Sequence, residues 1–178
     1  MNPPRVLIAG IGNIFLGDDA FGVEVAQRLA TRPLPEGVFV KDFGIRGLDL
    51  TYALLDGYDL AILVDAVPRG EPPGTVYLIE PEVPASSLAQ EEFGASPMFD
   101  GHSMDPVRVL RAVAALGGKV DRLLLVGCEP MPLEESTDMQ SGLSPAVAAA
   151  VPRAIEMIES ILESVRTRQE LEPAGGAA

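Results

Sequence analysis

Three short segments of this chain are apolar at every position: Val6-Leu7-Ile8-Ala9, Leu60 to Val64, and Leu123 to Val126. Each is short for a helix, and none alternates apolar with polar residues as a half-exposed strand would. A strand that is apolar on both faces must be covered on both, which is the condition of a parallel sheet sandwiched between helices. The intervening segments supply those helices. Phe21, Val25 and Leu29 recur at helical spacing until Pro33 and Pro35 stop the run. Leu48, Tyr52 and Leu55 suggest a short helix. Val107 to Leu116 reads as another, with Pro106 tolerated in its first turn, and Pro145 to Val165 as a long amphipathic one with Ser144 as N-cap. Val38-Phe39-Val40 is a further short strand, closed by Asp42-Phe43-Gly44. Thr75 to Ile79 follows the Leu60 strand too closely for a helical crossover, so an antiparallel edge strand is expected. The fold class is α/β: three layers, α/β/α, around a mostly parallel twisted sheet with one antiparallel edge strand.

Composition narrows the setting. A chain of 178 residues suits one domain, expected over residues 1–165, with 166–178 as a disordered tail. The formal net charge of −13 repels phosphate backbones, which argues against nucleic acid as partner. No apolar run is long enough to span a bilayer, and the N-terminus lacks the features of a signal peptide, so no membrane partner is expected. A single cysteine, Cys128, allows no internal disulfide and fits a reducing cytosol; after a buried strand it reads as a small core residue. Pro81 to Gly101 is polar, Pro-containing and irregular, and a connection of that length in a compact domain is usually functional or mobile.

In open α/β sheets ligands bind outside the carboxyl ends of the strands. Gly10-Ile11-Gly12-Asn13 leaves the first strand at that edge, followed by the acidic pair Asp18-Asp19. Asp65 ends the buried strand Leu60 to Val64 there. A helix that precedes a parallel strand begins at the same edge, which brings the only histidine, His102, to it as well. One imidazole and two carboxylates form a three-ligand set for a divalent metal with positions left open. Asp42 and Glu129 end other strands at this rim and are rivals for the role. A dinucleotide site fits poorly: the glycine after Gly12 is Gly17, and two carboxylates at a helix start repel a pyrophosphate. Capping explains one aspartate of the pair, so Asp18 is read as the cap and Asp19 as the site residue.

The segment Gly10 to Gly22, GIGNIFLGDDAFG, closely resembles the N-terminal signature of the nickel–iron hydrogenase maturation endopeptidases. The resemblance continues through Asp42-Phe43-Gly44 and its glycine loop, Val64-Asp65-Ala66, Gly101-His102, Val126-Gly127-Cys128-Glu129-Pro130 and Gly142-Leu143-Ser144-Pro145. It covers about residues 5 to 160. It departs at Ile45, where many relatives have Thr, at Ala20, where Gly is frequent, and at Ser103-Met104-Asp105-Pro106. The resemblance implies an α/β/α endopeptidase of aspartic type. Such an enzyme removes the C-terminal peptide of a hydrogenase large-subunit precursor after nickel insertion. Asp19, Asp65 and His102 would be the metal-contacting residues, with nickel supplied by the substrate.

On this reading Asp19 or Asp65 would serve as general base or orient the attacking water. Gly44, Arg46 and Gly47 would contact substrate, the arginine offering its fork to a peptide carbonyl or carboxylate. Backbone N–H groups of the Gly10–Asn13 or Gly44–Gly47 loop would supply an oxyanion site. The alternative from another class is a non-enzymatic nickel-sensing or chaperone module that binds the metal-loaded precursor. A third is a small-molecule-binding α/β domain with an apolar pocket in place of an acidic rim.

Overall fold

A computed structural model describes residues 3–81, 106–132 and 142–171. His102, the expected loop from Pro81 to Gly101 beyond its first residue, and residues 172–178 lie outside the described residues.

Among the described residues, five strands form one sheet: β1 (Val6–Ile11), β2 (Val38–Gly44), β3 (Leu60–Ala66), β4 (Val76–Ile79) and β5 (Leu123–Cys128). Their spatial order is β2-β1-β3-β5-β4. All neighbours run parallel except β4, which pairs antiparallel with β5 at the edge. Four described α-helices flank them: α1 (Phe21–Ala30), α2 (Gly47–Leu54), α3 (Pro106–Ala115) and α4 (Pro145–Leu171).

The strand alternation sorts the core into two layers. Val6 and Ile8, Leu60, Ile62 and Val64, and Leu124, Val126 and Cys128 pack with α1 and α4 on one face. Leu7, Ala9 and Ile11, Ala61 and Leu63, and Leu123 and Leu125 pack with α2 and α3 on the other. All residues of β1 and β5 are buried, which is why those strands read as unbroken apolar runs.

Two expectations needed correction. The short helix stands where it was placed, but its apolar spacing pointed to the wrong face. Leu48 and Tyr52 are 46% and 55% exposed, while Gly47, Leu50, Thr51 and Leu54 are buried. The helix is covered on its Gly47–Leu50–Thr51–Leu54 side, where the Thr51 hydroxyl donates to the Gly47 carbonyl. The long C-terminal helix runs to Leu171, six residues past the expected end at Val165. Its start is as expected: the Ser144 hydroxyl accepts from Val147 N–H at 3.4 Å, the N-cap geometry.

Connections from β1 lead one way to β2 and from β2 back across β1 to β3, so the order reverses between β1 and β3. That switch point is where an open α/β sheet has a natural crevice.

Candidate functional site at the switch point

The crevice is shaped by glycines that let backbones touch. Gly22, in the first turn of α1, lies so close to the carbonyls of Ile11 and Val64 that a Cβ would collide with both. The helix start is thereby pressed against the ends of β1 and β3. Gly12 has φ +131°, a conformation that L side chains rarely adopt, and a Cβ there would strike the Asp19 carbonyl. These contacts bring the 3₁₀ turn Gly17–Ala20 over the end of β3.

Two carboxylates meet there. Asp65, the sixth residue of β3, is 6% exposed. Its Oδ1 accepts the Ala66 N–H at 2.8 Å. Burial pushes its pKa up from 3.8 to about 7; the nearby Asp19 charge adds to the rise, and the Ala66 N–H opposes it. Asp19 is half-buried, and its Oδ2 accepts the Asn13 N–H at 2.7 Å. Two like charges sharing a desolvated crevice are costly unless a proton or a cation lies between them.

Asp18 does not do what its position suggested. Neither the 3₁₀ turn nor α1 has a side-chain cap at its start. Asp18 instead reaches across the fold. Its Oδ2 accepts the Met131 N–H at 2.8 Å and the Ser144 hydroxyl at 2.9 Å, and its Oδ1 accepts the Ser144 N–H at 2.6 Å. Sequence reading missed this contact. The available signal was that a cap explains only one carboxylate of the pair.

The rivals are otherwise engaged. Glu129 is buried, and its two carboxylate oxygens accept the Arg69 and Gly70 N–H groups at 2.7 and 3.1 Å. Asp42 is exposed at the end of edge strand β2, beside Gln27. The Cys128 thiol is wholly buried, and its pKa is pushed up to about 12, by burial first and by the Asp18 charge second. At neutral pH it is no thiolate nucleophile.

Gly44, Arg46 and Gly47 flank the crevice across β1. The Arg46 fork is turned back on its own loop, with Nε donating to the Phe43 carbonyl at 3.1 Å and Nη2 to the Asp42 carbonyl at 2.8 Å. The loops expected to offer oxyanion donors are largely spent. Gly12 N–H donates to the Gly44 carbonyl, Asn13 N–H to Asp19, Arg46 N–H to the Phe43 carbonyl and Gly47 N–H to the Ile45 carbonyl.

Among the described residues, no three His, Cys, Asp or Glu side chains gather into a metal-sized cluster. Asp19 and Asp65 provide two carboxylates of the expected set. The third member, His102, precedes the first residue of α3 by four positions and lies outside the described residues.

A family profile described as hydrogenase maturation protease matches residues 23–161, most of the chain. The chain belongs to the hydrogenase maturation protease family. Within this family it is 32% identical over 176 residues to the hydrogenase expression/formation protein HupD of Rhizobium leguminosarum bv. viciae, covering 98% of this chain and 82% of that one. It is 32% identical over 160 residues to the hydrogenase 2 maturation protease of Escherichia coli K12, covering 89% and 90%. The solved hydrogenase maturating endopeptidase HybD of E. coli superimposes with a TM-score of 0.69 at 31% identity, covering 90% of this chain and 93% of that one. The hydrogenase 2 maturation peptidase of a Thaumarchaeota archaeon does so at 0.67 and 29%, covering 89% and 98%. The α/β/α sheet with one antiparallel edge strand is thus the fold of the maturation proteases. No described helix is long and apolar enough to cross a membrane.

Proposed function

We propose that this chain removes the C-terminal peptide of a nickel-loaded hydrogenase large-subunit precursor. The observation that carries the reading is the paired Asp19 and Asp65 at the switch point, one of them buried with, among the described residues, one short backbone contact and a like charge beside it. A crevice of that kind favours a divalent cation. In this proposal the cation is nickel, part of the substrate, with Asp19, Asp65 and His102 completing its coordination from the protease side. Cleavage then depends on correct metal loading.

A carboxylate whose pKa lies near neutrality can take or give a proton at working pH, which suits Asp65 to general base catalysis or to orienting the attacking water. Asp19 would hold the charge balance. The Gly44–Gly47 turn would line the path of the peptide, Arg46 exchanging the Phe43 or Asp42 carbonyl for one of the substrate's. The rim around the acidic pair also supports a protein substrate. Ile14, Phe15, Leu16 and Ile45 are exposed on the loops leaving β1 and β2, and Phe15 is 79% exposed although Asn13 ties its turn through the Phe15 N–H. Apolar side chains displayed on a fixed turn suit a partner surface better than solvent. The single buried thiol fits a cytoplasmic setting.

The test is digestion of precursor with and without nickel, followed by intact mass. A C-terminal mass loss that requires nickel supports the proposal. Stable binding of the loaded precursor without any mass loss favours the non-enzymatic nickel-sensing module. Asp19→Asn, Asp65→Asn and His102→Ala should each block processing, and wild-type-like cleavage by His102→Ala would remove the histidine from the set.

A further inference from the structure

The contacts of Asp18 carry a second role for the acidic pair. We infer that Asp18 is a positioning residue, locking the Gly17–Ala20 turn against the start of α4 so that Asp19 is held facing Asp65. The inference rests on the reading of Asp19 as a site residue.

Three observations converge. Asp18 receives hydrogen bonds from residues 113 and 126 positions away in sequence, in two separate segments. Its partner Ser144 opens the longest of the described helices, so the short turn is tied to the start of α4. The negative charge also sits on the N–H of the helix N-cap, where the helix dipole favours it. In a 3₁₀ turn successive side chains diverge by about 120°, so Asp18 can face α4 while Asp19 faces β3. The turn has no side-chain cap of its own to fix that rotation. Besides the Asp18 contacts, the Asp19 backbone N–H donates to the Leu16 carbonyl, its carboxylate takes the Asn13 N–H, and its carbonyl lies close to Gly12. Three donors in two directions fix both position and angle, as catalytic geometry requires.

The experiment compares wild type, Asp18→Asn, Ser144→Ala and a core control, Ile158→Val, all at a temperature where each is folded. Precursor cleavage gives kcat and KM separately. Hydrogen exchange of the Asn13 amide reports, without substrate, whether the Asp19 carboxylate still sits on it. Asn at position 18 keeps one carbonyl oxygen but turns an amide N–H toward the donors. The expected result is a kcat loss of roughly 10–100-fold, the size seen when outer partners of a site are removed. KM should hold within about threefold, and Asn13 exchange should rise about tenfold. Ser144→Ala removes one of three contacts and should show smaller changes of the same sign, while Ile158→Val should show neither. Wild-type kcat with unchanged Asn13 exchange in Asp18→Asn would overturn the inference. So would an Ile158→Val protein that reproduces both effects. If Asp18→Asn does not fold, Ser144→Ala decides by the same two measurements. If wild type cleaves no precursor, the processing reading fails by itself and Asn13 exchange still decides on Asp18.

Discussion

Two buried carboxylates end adjacent strands of one sheet and lead different lives. Asp65 closes β3 and Glu129 follows β5; they are 6% and 5% exposed. Glu129 spreads its charge over the Arg69 and Gly70 N–H groups, while its own N–H meets the Thr75 carbonyl and its carbonyl takes the Gly74 N–H. It is a clasp for the turn between β3 and β4. Among the described residues, Asp65 has the Ala66 N–H and a like-charged neighbour. Burial therefore does not mark the functional carboxylate. The mark is burial without full compensation, since a structural charge is surrounded by donors and a working one is left in need of a proton or a cation.

The comparison is broken most directly by neutralising each member. Asp65→Asn should reduce processing by about 10²–10⁴-fold, the range for loss of a catalytic acid or base. It should also stabilise the free protein above neutral pH. The sign follows from the raised pKa. An Asp at 3.8 in the unfolded chain and about 7 in the fold favours folding below pH 3.8 and loses that contribution as pH rises through 7. Relative to wild type, Asp65→Asn should gain on the order of a few kcal/mol between pH 4 and pH 8. Calorimetric melts at the two pH values measure it; equal shifts at both would mean Asp65 is as well compensated as Glu129.

A smaller effect sharpens the contrast in wild type. A cation at the Asp19–Asp65 pair must displace the Asp65 proton below pH 7. Nickel affinity should then climb by up to about tenfold per pH unit and level off above neutrality. Titration calorimetry in two buffers of different ionisation enthalpy would count the released proton. A flat profile from pH 5 to 8 would place the cation elsewhere.

How much of this was legible beforehand follows the range of the interactions. The sheet, its antiparallel edge and the crevice at β1 and β3 came from local patterns: apolar runs, helical spacing and a connection too short for a crossover. Asp65 could be singled out because a charge ending an apolar strand is costly. The face of α2 could not be read, because Leu48 and Tyr52 obey helical spacing while the buried side is built from Gly47, Leu50, Thr51 and Leu54. The role of Asp18 was hidden for a different reason. Its partners Met131 and Ser144 are more than a hundred residues distant, and nothing local to Gly17–Ala20 indicates them. Glu129 stood as a rival to Asp65 in the sequence; the N–H groups of Arg69 and Gly70, supplied by another connection, separate them in the fold.

The smallest effect on chemistry is expected at that rival. Glu129→Gln retains the shape and one acceptor, but its amide group faces a backbone N–H where an oxygen stood. Losing a charge-assisted bond and leaving a buried donor unmet costs about 1–3 kcal/mol. The melting temperature should drop by several degrees, since 1 kcal/mol moves a domain of this size by roughly 2–4 °C. Glu129 follows β5, one strand removed from the crevice between β1 and β3, so cleavage per folded molecule should stay within about twofold of wild type. Measured well below the melt, a kcat loss approaching that of Asp65→Asn would make Glu129 a working carboxylate too. The difference between a clasp and a working group would then have to be sought in something other than the count of donors around each.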